Sequence, residues 1–431
     1  MKVAAVPAPR LTLVVDQLPF PPRNGVTLPL FHYLQQLRAT HELSLCLLQD
    51  AAAPADAALW ADNEQRYGRI TRIPLQQRSR ARRVVAELGA AEMFQHGWRA
   101  THQDTLSAAA FTQVLVSPMS AVAKWRAVRR ANPELVSRTM VAAVHDCTTA
   151  EYRWRLRSAH TGAAARAKAW LDLLRVPLIG RVEAALLSEY DSVLVQTAAD
   201  HEAMRSLVGE TTAQRCQLAP NGVRNDLFEL HPAREERVLL VAELSGEYAA
   251  ITEWLCTHVW PLVHAARPQA RLRVVGRGAS PRLRSVMERT AGVEALDFAP
   301  ELADCYAFAG VVWSPVFKGF GLINKTLEGM ASALPVVGGR AAFNGVKGFA
   351  EGQHGFGLDA PDAAAFAAAT RRLLESPALR ARVGESARQL IHGQFSWERS
   401  ADVLRQAFAL PAAAQSPPAE VTAEPARADR G

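Results

Sequence analysis

The chain has 431 residues, 49% of them hydrophobic and 21% charged, with a formal net charge of +7 at pH 7. Those proportions belong to a globular protein and exclude a disordered or collagen-like chain, and the length suits two domains of roughly 200 residues rather than one core. No apolar run approaches the roughly 18 residues of a membrane span, and the amino-terminal stretch lacks the apolar region of a signal peptide, so a cytoplasmic protein is expected.

In chain order, the apolar run Leu11 to Val15 reads as a strand. It is followed by a loop through Pro19 and Pro22 that carries Asn24 and Gly25, then by an amphipathic helix through Phe31, Leu34 and Leu37. Glu42 to Leu48 returns as a second strand, and 51–58 reads as a loop. Further strands are expected at Gln113 to Val116, Thr139 to Val144 and Ser192 to Val195, with helices between them. The stretch 148–188 reads as a long helix interrupted at Pro177. Strands alternating with helices predict a parallel sheet covered on both faces. His145 and Asp146 directly follow one of these strands, at the carboxyl edge where crevice residues gather. A histidine there could hydrogen-bond a ligand or shuttle a proton near neutral pH; a satisfied structural histidine is the rival reading.

Leu218 to Val223, containing Pro220-Asn221-Gly222-Val223, is a turn after a strand-like segment, and a domain boundary falls near His231. A second alternation follows: strand Arg237 to Val241, helix 247–266, strand Arg271 to Val275, helix 281–290 and strand Val293 to Phe298. Gly276-Arg277-Gly278 continues the middle strand, but Pro281 stands where a dinucleotide fingerprint has its third glycine. It reads instead as a close turn at the crevice.

The most informative segment is 311–337. A buried strand is followed by a loop with Lys318, Gly319 and Gly321, then a helix carrying Lys325 and Glu328, then a strand begun by Pro335. Unsatisfied N–H groups at a helix N-terminus attract an anion, and glycines let a phosphate approach them. A carboxylate about two turns further accepts hydrogen bonds from hydroxyls. A ligand carrying both phosphate and sugar fits that pair of features.

The residues Gly321-x-x-x-Lys325-x-Leu327-Glu328-x-Met330-Ala331-x-x-x-Pro335-Val336-Val337 resemble the donor-binding signature of GT-B glycosyltransferases, in particular glycosyltransferase family 4 (group 1). The Asn324-Lys325 form is similar to the exopolysaccharide-type sugar transferases within it. The resemblance implies an α/β chain of two doubly wound Rossmann-like domains facing across a cleft. Residues 1–230 would bind the acceptor and 231–395 the nucleotide sugar; 396–410, after Gln394-Phe395-Ser396-Trp397-Glu398, would cross back as a helix. The Ala/Pro/Ser-rich 411–431 would be a disordered tail.

The resemblance further implies transfer of a sugar, with retention of configuration, from a nucleotide diphosphate sugar to a saccharide or lipid-linked acceptor, in polysaccharide or glycoconjugate synthesis. Its donor site would comprise Gly276, Arg277, Lys318, Gly321, Leu322, Ile323, Lys325 and Glu328; Asn24 and Gly25 would face the diphosphate and acceptor, and His145 and Asp146 the reacting sugar. Two departures stand out. Phe320 occupies the place of a second glutamate common in the family, and Ala242 to Glu247 lacks the arginine and lysine that often neutralise the diphosphate. Two rival readings remain: a nucleotide-sugar epimerase of the same architecture, and a catalytically silent nucleotide-sugar-binding subunit of a polysaccharide assembly complex.

No cofactor or metal is expected. The five cysteines are scattered without C-x-x-C spacing, and no D-x-D triplet occurs. Residues 1–230 hold 27 Lys/Arg against 21 Asp/Glu, while the remainder holds 22 against 21. The excess lies around Arg66 to Arg83, Lys124 to Arg130 and Arg153 to Lys168. Such arginines suit a peripheral contact with anionic lipid at the inner membrane face; solvated helix faces are the plainer reading. No nucleic-acid-binding module accompanies the charge.

Overall fold

The computed structural model describes residues 9–22, 25–51, 57–68, 70–77, 98–103, 106, 111–157, 175–232, 235–299, 301–319 and 321–409. Asn24, Phe320 and the expected tail lie outside the described residues.

The first sheet contains β1 (Arg10–Val15), β2 (Glu42–Asp50), β3 (Ile70–Gln77), β4 (Trp98–Arg99), β5 (Gln113–Ser117), β6 (Thr139–His145), β7 (Ser192–Val195) and β8 (Cys216–Leu218), in the spatial order β4-β3-β2-β1-β5-β6-β7-β8. Every pairing is parallel except β3 with β4. The central strands are buried along their whole length, which is why β6 reads Thr-Met-Val-Ala-Ala-Val-His without alternation. Order reverses between β1 and β5, so the crevice of this half opens beside the carboxyl ends of those strands.

Its longer described helices are α1 (Thr27–Leu37), α2 (Ala57–Tyr67), α3 (Met119–Ala131), α4 (Thr148–Arg157), α5 (Val176–Leu187) and α6 (Ala198–Ala203). The expectations for 51–77 need correction: α2 begins inside the expected loop, and β3 is a strand where none is expected. Arg72 and Pro74 hide the apolar set Ile70, Ile73 and Leu75, whose side chains are buried. Pro177 marks a helix start. It stands in the first turn of α5, where a missing N–H costs nothing; the stretch between α4 and Arg175 lies outside the described residues.

The second sheet contains β9 (Arg237–Val241), β10 (Arg271–Val275), β11 (Val293–Leu296), β12 (Val311–Ser314), β13 (Val336–Gly339) and β14 (Phe356–Leu358), ordered β11-β10-β9-β12-β13-β14 and wholly parallel. Its reversal falls between β9 and β12, beside the loop 315–323. The covering helices are α7 (Gly246–Trp254), which runs through a π-turn into α8 (Trp260–Ala266), then α9 (Pro281–Arg289), α10 (Leu302–Phe308), α11 (Asn324–Ala331), α12 (Ala363–Glu375) and α13 (Pro377–Ile391). Trp260, Trp313 and Phe366 meet edge-to-face in the core on one side of this sheet.

The last helix, α14 (Trp397–Ala409), packs on the first sheet's layer. Trp397, Leu404, Ala407 and Phe408 join Leu11, Leu30, Tyr33 and Leu37 in one apolar cluster, and the Trp397 ring stacks on His32 at 4.2 Å. The chain therefore passes between the two sheets twice, and the passages touch: Val223 N–H donates to the Phe395 carbonyl.

The basic excess is partly spent inside the fold. Arg126 and Arg129 both pair with Glu189, and the Lys124 ammonium is buried against Asp16 at 2.9 Å. Arg126 and Arg129 remain partly exposed beside their partner, and Arg130 is exposed. No helix among the described residues is long and apolar enough to cross a membrane.

Candidate functional site

On the second sheet, three strand-to-helix loops converge at the carboxyl edge. Gly276 follows β10, and a Cβ there would stand 1.8 Å from the Ala242 carbonyl oxygen. Glycine is required at that position by the neighbouring loop's backbone, not by a ligand. Arg277 is exposed, with its guanidinium 4.5 Å above the Phe298 ring. Lys318 is exposed, and no described residue pairs with it.

The loop after β12 reaches Gly321 at φ +84°, a left-handed conformation that strains residues with a Cβ. Helix α11 then starts at Asn324, after Ile323, which offers no side-chain cap. The first-turn N–H groups of Asn324 and Lys325 thus lack intrahelical partners. Ser314 Oγ and Thr326 Oγ1, 2.8 Å apart, fix the helix to its strand. Glu328 sits in the second turn and is 8% exposed. Its Oε2 accepts from the Tyr306 hydroxyl at 2.7 Å and from Lys325 Nζ at 2.8 Å. Burial and the Glu328 charge hold the Tyr306 phenol well above its ordinary pKa, so it remains a donor. Oε1 has no partner among the described residues.

On the first sheet, β6 ends in an uncommon turn. His145 has φ +69°, and Asp146 N–H bonds back to the Val144 carbonyl at 2.9 Å, a γ-turn of the strained, positive-φ kind. The turn carries Asp146 across to the other half: a Cβ on Gly321 would lie 2.8 Å from Asp146 Oδ1. That oxygen is buried and has no hydrogen-bond partner among the described residues. Its neighbours are like-charged. Asp200 accepts from Cys147 N–H, while Glu183 accepts from the N–H groups of Thr148 and Thr149, so carboxylates already fill the N-terminus of α4. Burial first, then the charges of Asp200 and Glu151, push Asp146 up to about 7. Burial likewise raises Glu183 to about 7 against the opposing effect of its hydrogen bonds.

His145 is placed differently from its neighbour. Nε2 lies 3.0 Å from Ser117 Oγ and Nδ1 lies 3.1 Å from Gln196 Nε2, so neither ring nitrogen is open to a sugar hydroxyl in this arrangement. Burial lowers its pKa to about 4, which keeps the ring neutral.

The structure thus gathers Gly321, Leu322, Ile323, Lys325 and Glu328 at one helix start, with Asp146 opposite. Gly25 is exposed, just before α1, and a Cβ there would meet nothing within 4 Å. Sequence reasoning missed Tyr306, Gln196 and Ser117, and it quoted Asn221 and Asn324 without giving them a role. Gln196 and Ser117 stand at or just beyond the carboxyl ends of β7 and β5, which is the signal that could have found them.

Residues 235–376 match the family model described as Glycosyl transferases group 1. Glycogen synthase of Mycobacterium tuberculosis is 25% identical over 263 residues, which span 58% of this chain and 61% of that protein. Among solved structures, the chain is similar to Anabaena Alr3699/HepE in complex with UDP and glucose, with TM-score 0.62, 16% identity and coverage of 93% of this chain and 99% of that one. It is also similar to sucrose-phosphate synthase from Thermosynechococcus elongatus, with TM-score 0.60, 18% identity and coverage of 94% and 100%. The fold is GT-B, and the resemblance to group 1 glycosyltransferases drawn from 321–337 is borne out.

Proposed function

We propose that this protein transfers a sugar from a nucleotide diphosphate sugar to a saccharide or lipid-linked acceptor. The observation that carries the reading is the pairing at α11: an open helix N-terminus stands one turn from the buried Glu328 carboxylate, whose Oε1 is free of described partners. The N–H groups suit a diphosphate and the carboxylate suits ribose hydroxyls. The similarity of 235–376 to group 1 glycosyltransferases supports it, and the UDP and glucose named for Alr3699/HepE suggest the first donors to try.

In this reading catalysis is electrostatic. As the bond between sugar and diphosphate breaks, charge grows on the leaving phosphate, where the α11 N-terminus and the cations Lys318, Lys325 and Arg277 can meet it. Lys325 is held against Glu328, so Lys318 and Arg277 are the more available charges. Asp146 faces the Gly321 loop from the first sheet; in this reading it would accept from an acceptor hydroxyl when ionised and donate when protonated. Retention of configuration and a place in polysaccharide synthesis are part of the proposal; no metal enters it.

The experiment is a thermal-shift screen against UDP, GDP, ADP and their sugars, since a ligand that binds the folded chain raises its melting temperature. Donor consumption that depends on an added saccharide or lipid-linked acceptor follows for whichever base binds. Stabilisation by none of the nucleotides overturns the reading, and donor isomerisation without acceptor replaces it with an epimerase.

A further inference from the structure

A chain of hydrogen bonds crosses from the first sheet to the second, and its direction can be worked out. Ser117 Oγ lies 2.8 Å from the Ala143 carbonyl and 3.0 Å from His145 Nε2. Its single proton serves the carbonyl, which can only accept, so Ser117 accepts from His145 and Nε2 carries the hydrogen. On the other side of the ring, Gln196 Nε2 lies 3.1 Å from His145 Nδ1 and 2.9 Å from Asn221 Oδ1. An amide nitrogen donates twice, so Nδ1 offers its lone pair. Asn221 then gives Nδ2 to Asn324 Oδ1 at 2.9 Å. Turning the amides round would put the ring proton on Nδ1, but Ser117 would then have one hydrogen for two acceptors. The stated direction satisfies one group more.

The middle of this chain is rigidly held. Asn221 is 2% exposed and lies where the two passages between the sheets meet. A Cβ on the adjacent Gly222 would stand 2.3 Å from Trp397 N, and Ser400 Oγ donates to the Pro220 carbonyl. Asn324 is the first residue of α11, the helix whose start faces the proposed phosphate.

We propose that Gln196 and Asn221 are positioning residues: they lock His145 as its neutral Nε2–H form and tie the N-terminus of α11 to the first domain, registering it against Asp146. The relay is a property of the fold; its effect on sugar transfer rests on the function proposed above. With the tie intact, the γ-turn that carries Asp146 and the helix start that faces the leaving phosphate move as one body. Without it, each follows its own domain.

The test uses the full chain. In protein labelled with nitrogen-15 histidine, the ring signal that disappears in His145→Gln is expected to show hydrogen on Nε2 and none on Nδ1 through neutral pH. Gln196→Glu supplies an acceptor to Nδ1 and is expected to move hydrogen there. A wild-type ring with hydrogen on Nδ1 overturns the assignment. In denaturant melts, Asn221→Ala and Asn324→Ala should each lower the midpoint while the double variant falls no further than the worse single one; additive losses overturn the tie.

With a donor identified, Asn221→Ala should lower kcat on the order of 10- to 100-fold with little change in donor KM, the expected result of misaligned reacting groups. Asn324→Asp keeps the acceptor for Asn221 and suits the helix N-terminus, so it should retain the melting midpoint but raise donor KM by placing a carboxylate against the phosphate. Equal loss of kcat in Asn324→Asp and Asn324→Ala counts against positioning. If wild type binds no nucleotide, the transferase reading falls, while the histidine spectrum and the double-variant melts still judge the relay.

Discussion

Replacing Asp146 by asparagine should stabilise this protein, and only at high pH. Its carboxyl is buried beside Asp200 and Glu151, with Oδ1 unpartnered among the described residues, and its pKa is displaced from 3.8 to about 7. An acid whose folded pKa is raised binds its proton more tightly folded than unfolded, so stability is fully present below about 4 and is lost as pH rises through about 7. At about 1.4 kcal/mol per tenfold change, the ceiling of this loss is ~4 kcal/mol; solvent reaching the cleft lowers it to the order of 1–3 kcal/mol.

An asparagine side chain has nearly the same shape as the aspartate it replaces and never ionises. Measured by denaturant melts, Asp146→Asn should match wild type near pH 3 and exceed it near pH 8.5, with the difference opening between about 4 and 7. His32 and His145, whose pKa values are lowered to about 4 by burial, act in the opposite sense below pH 6.5, but equally in both proteins. Their contribution cancels in the comparison. A difference that is constant with pH, or a variant less stable than wild type at pH 8.5, refutes the assignment of Asp146 as an uncompensated buried acid.

Glu328→Ala should weaken binding of the nucleotide found by the screen by roughly 1.5–3 kcal/mol, about 10- to 150-fold, as a charged hydrogen bond is lost; calorimetry showing unchanged affinity would rule out the ribose role. The same change strands the buried Tyr306 hydroxyl, costing about 1–3 kcal/mol of stability, whereas Glu328→Gln keeps an acceptor for it and should melt close to wild type while still binding nucleotide poorly. Gly321→Ala must place a Cβ against Asp146 at φ +84°; a loss of about 1–2 kcal/mol from the backbone alone is expected in denaturant melts, and neutrality would mean the loop had shifted. Trp397→Ala removes a buried ring stacked on His32 and should cost about 3–5 kcal/mol. Proteolysis should then cut first near the start of α14; a resistant variant would show that the helix docks without its anchor.

The sequence by itself determined what is local. Uninterrupted apolar runs such as Val311 to Ser314 and Thr139 to Val144 name central parallel strands because both faces of such strands are buried. The spacing of Gly321, Lys325 and Glu328 along one loop and helix gathers them at one helix start because helix geometry brings nearby residues together without help from the rest of the chain. Even the turn Pro220-Asn221-Gly222 is legible as a turn. Strand β3 escapes because its apolar residues are interleaved with arginine and proline, so pattern and burial disagree there.

Only the tertiary structure decided what depends on distant residues. Asn221 and Asn324 are 103 positions apart and share one hydrogen bond. Gly321 faces a carboxylate from the other sheet, and Gly276 is glycine on account of a neighbouring loop's carbonyl. His145, chosen from sequence for a sugar hydroxyl or a proton, has both ring nitrogens engaged by Ser117 and Gln196, while Oδ1 of the adjacent Asp146 has no partner among the described residues. Local sequence sets which groups a turn presents; whether a group stays free for a ligand is settled by partners that arrive through the fold.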